Sequence, residues 1–460
     1  MKDLIIGAFQ LLNPNGTVGS SWRAPGNTSL GYLSIAHWTR LAKQLEAGGF
    51  DFLFFADSYG YPTIGDEVIP TSLTDAMYVP MGDPITLVSA LAAATERLGF
   101  VVTSSTTVEK PAAVARRYGT LDHFTEGRIG WNIVTGAAQA SAAELFGETM
   151  MKHDARYAQA EDHVSICLKL WEGSWADDAL KEDKQGEVYA DPAGVRMIAH
   201  EGEYLKAKGI YNLPPSKQRS PLLLQAGTSV AGREFAARYA EVVFLGGSEP
   251  AQIAEQIADI RSRARARGRS RDAVKFVVGA HFLAAATAAE AEQKRDEMLA
   301  LATLEQAATT YAWVTGIDLT RFALDEPVPD LHTEQGQTSV DRFMDPETSR
   351  RKTVRQVLEE YRANGLNGTM FVGDAETIAA EVAAFVETTD ADGFLVQPHL
   401  TPGTYDDFIE FVAPALRARG LMGSGRPGET LRARLFPSTG DRLPADHPGA
   451  AHRFAPVPVD

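Results

Sequence analysis

Residues 100–134 read FVVTSSTTVEKPAAVARRYGTLDHFTEGRIGWNIV. A short apolar run ends in hydroxyl residues, a segment with apolar positions at helical spacing covers 112–124, and a second apolar run starts at 129 after a Gly-containing turn. Two β-rich runs on either side of one amphipathic segment predict parallel strands joined by a helix.

Outward from this unit the same alternation repeats. Strands are predicted at 4–9, 52–56, 100–104, 129–134, 222–226, 242–245, 276–279 and 394–397, with helical spacing at 35–47, 85–97, 157–171 and 253–266. Eight such units predict an α/β fold of the (β/α)8 TIM-barrel type. An open dinucleotide-binding sheet would place Gly-x-Gly-x-x-Gly after an early strand, and none follows one here. Three stretches depart from the repeat: 10–30, 175–219 and 301–349. Connections that follow barrel strands lie on the face where chemistry occurs, so the first and third are expected to wall the site. We read residues 1–424 as the catalytic barrel, with an insertion at about 301–349, and 425–460 as an extended C-terminal tail.

The chain has 460 residues, 44 Lys+Arg and 60 Asp+Glu, a net charge of −16. That balance repels polyanions, so neither nucleic acid nor an anionic membrane is an expected partner. The single cysteine, Cys167, excludes an internal disulfide and a Cys-cluster zinc site. It lies in an apolar helical stretch and reads as a small core residue. No His-Glu-x-x-His pattern occurs, no partner is spaced from Asp122 and His123, and no metal is expected. The N-terminus lacks the longer apolar region of a secretory signal, and no apolar run is long enough for a bilayer, so the expected location is the cytoplasm.

Polar residues gather at the predicted strand ends: Asp57 after FDFLFFA, Thr103 and Ser104 in FVVTSS, Asn132 in GRIGWNIVTG, and Thr228 and Ser229 after LLLQAG. A barrel brings all of them to its C-terminal rim. Asp57, Thr228 and Ser229, each taken alone, read at least as well as helix N-caps. The AGTS turn before a helix also presents N–H groups and hydroxyls suited to phosphate. His153 and Tyr157, four residues apart, share one face at a helix start, where phosphate binding and surface capping are balanced readings. Trp22, Trp131, Phe9 and Tyr59 are candidate apolar walls. His37 and His163 read as structural, and His332 in the long insertion is the candidate lid residue facing substrate.

The segments SSWRAPGN, FDFLFFADSYG, TLDHFTEGRIGWNIVTG, HDARY, QAGTSVAGREFAARYAEVVFLGG and ADGFLVQP resemble, in order along nearly the whole barrel, the flavin-dependent monooxygenases of the bacterial-luciferase superfamily. The nitrilotriacetate, dibenzothiophene-sulfone and long-chain-alkane monooxygenase group is the most similar. The resemblance implies a two-component enzyme: reduced FMN (FMNH2) delivered by a separate NAD(P)H:flavin reductase, O2 as co-substrate, and oxygen transfer to a small organic substrate through a flavin peroxide or hydroperoxide. It implies FMN contacts at Asp57, Thr103 or Ser104, His153, Tyr157 and Thr228 or Ser229, places Asn132 beside the flavin ring, and implies a homodimer or homotetramer. This chain has Ala24 where the group often has His, and its first loop, LLNPNGTVGSSW, lacks the Cys and His of alkane-type members. A deazaflavin-dependent hydride-transfer enzyme and a non-catalytic flavin-binding protein are the alternatives, separated from a monooxygenase by oxygen uptake coupled to product.

Overall fold

The computed structural model describes residues 3–17, 19–136, 139–341, 352–364, 368–423 and 430–454. Nine parallel strands form its main sheet: β1 (Ile5–Leu11), β2 (Phe52–Ala56), β3 (Gly99–Ser105), β4 (Ile129–Val134), β5 (Leu222–Gln225), β6 (Val242–Leu245), β7 (Lys275–Ala284), β8 (Thr369–Gly373) and β9 (Gly393–Val396). The order β1-β2-β3-β4-β5-β6-β7-β9 returns to β1, closing an eight-stranded parallel barrel. The eight predicted strands coincide with these eight, and the TIM-barrel expectation holds. Strand β8 lies outside that prediction. Its five residues, TMFVG, are too few to show a period, and it is held by the length of β7. The first half of β7 pairs with β6 and β9, while Ala280 to Ala284 pair with β8.

Around the barrel run α1 (Ile35–Gly48), α2 (Pro111–Phe124), α3 (His153–Gly173), α4 (Val230–Tyr239), α5 (Pro250–Ala266), α6 (Ala288–Leu301), α7 (Leu304–Thr315), α8 (Val354–Asn364) and α9 (Ala375–Thr389). Strand alternation divides the apolar residues between two packed layers. Phe9, Phe54, Val101, Leu224, Val277 and Leu395 fill the bore, while Ile6, Phe55, Val102, Trp131 and Val243 face the helices. Each fully buried Phe or Leu contributes about 1.5–3 kcal/mol. The insertion that leaves β7 builds a smaller core of its own, in which Tyr311 of α7 meets Val357, Leu358 and Tyr361 of α8.

At the N-terminal end of the barrel, acidic residues that precede strands accept N–H groups from their neighbours. Asp51 binds Ile6 N at 2.9 Å, Glu241 binds Leu223 N at 3.0 Å and Asp392 binds Phe276 N at 3.0 Å. The C-terminal stretch, read as an extended tail, instead carries a helix at Leu431–Leu435, and Leu431, Leu435 and Phe436 join the bore cluster. The 424/425 boundary falls outside the described residues. Among the described residues no helix is long and apolar enough to cross a membrane, and no cluster of His, Cys, Asp and Glu is arranged to hold a metal.

Candidate active site

At the C-terminal rim, Asp57, Thr103 and Ser104 line one cavity with Tyr59, Val134 and Gly136. Asn132 points into the bore because its neighbours Trp131 and Ile133 face the helices. Its Nδ2 donates to Thr103 Oγ1 at 2.9 Å, and the Thr103 hydroxyl donates in turn to the Phe55 carbonyl at 2.8 Å. Thr103 therefore fixes Asn132 and has no hydrogen left to donate. Asn132 Oδ1, buried and without a partner among the described residues, remains as an acceptor. Ser104 Oγ faces α2, where the Tyr118 hydroxyl reaches it at 3.2 Å.

Burial, followed by the like charges of Asp83 and Glu109, pushes the Asp57 carboxyl up to about 7. Its Oδ1 accepts the Ser58 N–H at 2.9 Å, a local contact of the capping kind. Near neutral pH this group is poised between donor and acceptor.

One step along the rim, Ser229 caps α4 by accepting Gly232 N at 3.1 Å. Capping is thus real, and it coexists with a cradle. A Cβ added to Gly227 would lie 2.3 Å from the Tyr157 hydroxyl, and one added to Gly232 would lie 2.8 Å from it. Tyr157 of α3 is seated in a notch that only glycine leaves open, facing the Ser229 and Thr135 hydroxyls, while burial raises its pKa. The His153 ring lies 5.3 Å from the Tyr157 ring, and its Nδ1 is 2.9 Å from Asp154 Oδ1. Beyond Ser229 the first N–H groups of α4 have no intrahelical acceptor, and Thr228 stands beside them, partly exposed.

Of the nine predicted site residues, Asp57, Thr103 and Ser104 border one cavity, Asn132 is held by Thr103, and His153, Tyr157, Thr228 and Ser229 gather where α3 and α4 begin. The ninth, His332, is linked to them only through Glu334: its side chain is 78% exposed, with Nε2 3.7 Å from Glu334 Oε1. Of the four candidate apolar walls, Tyr59 borders the rim cavity, whereas Phe9 is packed in the core. Phe9 stacks on Phe54 in the bore at 5.6 Å. Trp131 does not border the cavity either: alternation turns it outward against Tyr118, His163 and Trp171. Trp22 is partly buried in the first loop, its indole nitrogen unpartnered among the described residues. His163 bonds the Glu109 carbonyl at 3.2 Å and burial lowers it to about 4, which suits a structural imidazole. Buried Cys167 has its thiol pKa raised well above the usual value.

Three residues escaped the sequence reading. Arg156 is 1% exposed, with Nε and Nη1 unpartnered among the described residues. His281 is fully buried, and burial lowers it to about 4 against the opposing effect of the Gln397 main chain; among the described residues neither ring nitrogen has a well-formed hydrogen bond. Gln397 Oε1, also without a hydrogen bond among them, lies next to it, since a Cβ on Gly368 would touch both side chains. The signal for Arg156 was its place in HDARY, one helical turn from His153. His281 lies beyond the predicted end of its strand.

A family model described as luciferase-like monooxygenase matches residues 17–392. The dimethyl-sulfide monooxygenase of Hyphomicrobium sulfonivorans is 36% identical over 99% of this chain and 95% of its own. The long-chain alkane monooxygenase of Geobacillus thermodenitrificans is 37% identical over 98% of both chains. A solved riboflavin lyase, with modified FMN and the substrate riboflavin, superposes with a TM-score of 0.94 at 40% identity, covering 99% of this chain and 100% of that one. The chain belongs to the luciferase-like monooxygenase family, and it is an enzyme of the flavin-dependent monooxygenase kind that works with reduced flavin.

Proposed function

We propose that the protein is the oxygenase component of a two-component system, binding reduced FMN from a separate NAD(P)H:flavin reductase and using O2 to oxidise a small organic substrate. The observation that carries this reading is the set of buried polar atoms unpartnered among the described residues, Asn132 Oδ1 and Arg156 Nε and Nη1, around the glycine notch that seats Tyr157. Unsatisfied buried groups are costly, and a ligand with complementary donors and acceptors relieves that cost.

These residues fit FMN by chemistry. Arg156, His153, Tyr157, Ser229 and the start of α4 would hold the phosphate, and Asn132 and Asp57 would bind the ring's polar edge. When bound, the reduced flavin supplies the two electrons that activate dioxygen. The chain's own part is positioning. The Phe55–Thr103–Asn132 relay fixes one acceptor, the Phe9, Phe54 and Phe244 rings keep the bore apolar, and Asp57 holds or releases a proton near pH 7.

The resemblance to riboflavin lyase favours one particular substrate class, a neutral ring system, over polyanionic chelates. His281 and Gln397 are uncharged hydrogen-bonding groups in the strand ends, consistent with such a substrate. Oxygen uptake with chemically reduced FMN tests both parts, using riboflavin, dimethyl sulfide, a long-chain alkane and nitrilotriacetate. Substrate-dependent product with riboflavin supports the narrower reading, and product with another of the four replaces it. Flavin binding without coupled product from any of them removes all four substrates, the neutral ring system included.

A further inference from the structure

We infer that Glu334, on the insertion after β7, is a specificity-determining residue of the flavin site: its carboxylate competes with the flavin phosphate for the donors at the start of α3. This rests on the phosphate site proposed above. Glu334 Oε2 accepts the His153 N–H at 3.1 Å, and the Glu334 main-chain carbonyl accepts Arg156 Nη2 at 2.6 Å. One acidic residue of the insertion thus engages both the helix start and the buried guanidinium whose remaining nitrogens have no partner among the described residues. The first N–H groups of a helix and a buried cation together make an anion site.

The charge around this carboxylate agrees. The His153 N–H first, then His332 and Lys152, hold Glu334 below the usual carboxylate range. His332, expected to reach substrate, instead faces Glu334 at 3.7 Å. The turn that carries Glu334 is anchored on both sides. Thr333 Oγ1 donates to the Thr315 carbonyl of α7 at 2.5 Å, and Gln335 Oε1 accepts Ala140 N at 3.4 Å. The carboxylate is therefore placed by the fold and is not a free surface group.

Tyr157, one turn further along α3 than His153, is the phosphate-side hydroxyl, so a phosphate dianion there meets Glu334 across one helical turn. Two anions sharing one set of donors weaken each other's binding, which suits an enzyme that must accept and return a flavin carried by a second protein.

The test is flavin titration, read by fluorescence quenching, of the full chain, Glu334→Gln and Glu334→Ala with FMN and with riboflavin. The Gln variant keeps an acceptor for His153 N–H and removes only the charge. Tightening of FMN binding by about tenfold in Glu334→Gln, with riboflavin unchanged, is the expected result. FMN affinity that is unchanged or weaker in Glu334→Gln overturns the inference, as does equal tightening for both flavins, which would mark a steric effect. A loss of thermal stability confined to Glu334→Ala, with FMN binding unaltered in Glu334→Gln, reduces the residue to a helix cap and also overturns it. Failure of the underlying phosphate site reads differently: the unaltered protein would then bind FMN and riboflavin equally.

Discussion

Asp57 and Asn132 show how single residues at the rim differ from the same residue types elsewhere in the barrel. At the N-terminal end, acidic residues are matched by strand N–H groups and by cations, as Asp392 is by Phe276 N and Arg261. At the rim, the Ser58 N–H is the hydrogen bond that Asp57 accepts among the described residues, and burial lifts its pKa to about 7, above the value of about 6 to which burial lifts Asp51 at the far end. The folded protein therefore keeps a proton on Asp57 that the unfolded chain loses at about 4. Stability falls as pH rises from about 4 to about 7, and the whole cost is present above 7. Asp57→Asn should raise the melting temperature at pH 8, with the gain shrinking to nothing towards pH 4. A gain of equal size at both ends would show that ionisation of Asp57 is not its source. The sequence identified Asp57 by its place after an apolar strand, but its protonation depends first on burial and then on Asp83 and Glu109, which come from other loops.

Elements meet at the notch between α3 and α4, where the AGTS turn and HDARY become one site. The sequence exposed both motifs separately, and the parallel topology of β4 and β5 brings them together. It did not expose Arg156. Helices α2 and α4, the antiparallel pair Ile198–Glu201 and Lys206–Gly209, and the turn Pro448–His452 cover α3 on several sides, so its apolar residues mark no single buried face and an arginine on it reads as surface. Gly227→Ala places a Cβ 2.3 Å from the Tyr157 hydroxyl and 2.4 Å from Gln225 Nε2, so Tyr157 must leave Ser229. We expect FMN affinity to fall at least about tenfold, the scale of one hydrogen bond to a charged group, with the circular dichroism spectrum retained. In a Tyr157→Phe background, the same glycine substitution should cost much less, because the clashing oxygen is gone. Additive losses in that double-mutant cycle would separate the notch from the phosphate site.

The eight barrel strands were legible from their spacing and β-rich composition, whereas the seal on the barrel's far end was not, because it depends on partners distant in the chain. The Gly-, Pro- and Arg-rich composition after 423 reads as an extended tail, yet Arg432 is fully buried against Glu241, 191 residues away. Its Nε and Nη2 meet the two carboxylate oxygens at 2.7 and 2.9 Å, and its other hydrogens go to the carbonyls of Gln218, Ser220, Pro221 and Asp441. Burial pushes Glu241 up, but Arg432 brings it below the ordinary carboxylate range. Arg432→Met leaves a buried carboxylate and four carbonyls without this partner and should cost about 3–5 kcal/mol, read as a lower urea midpoint. Adding Glu241→Leu removes the stranded charge and should recover part of that loss. Recovery should stay incomplete, since Leu223 N then loses its acceptor and the carbonyls stay unpaired. A single substitution with no effect on the midpoint would mean that Leu431, Leu435 and Phe436 hold the tail in place by apolar packing alone. Because this seal lies at the opposite end from the rim, flavin affinity in the folded Arg432→Met protein should match that of the unaltered chain. The charge pairs at this end therefore act on the fold, and the proposed ligand site lies at the opposite face of the barrel.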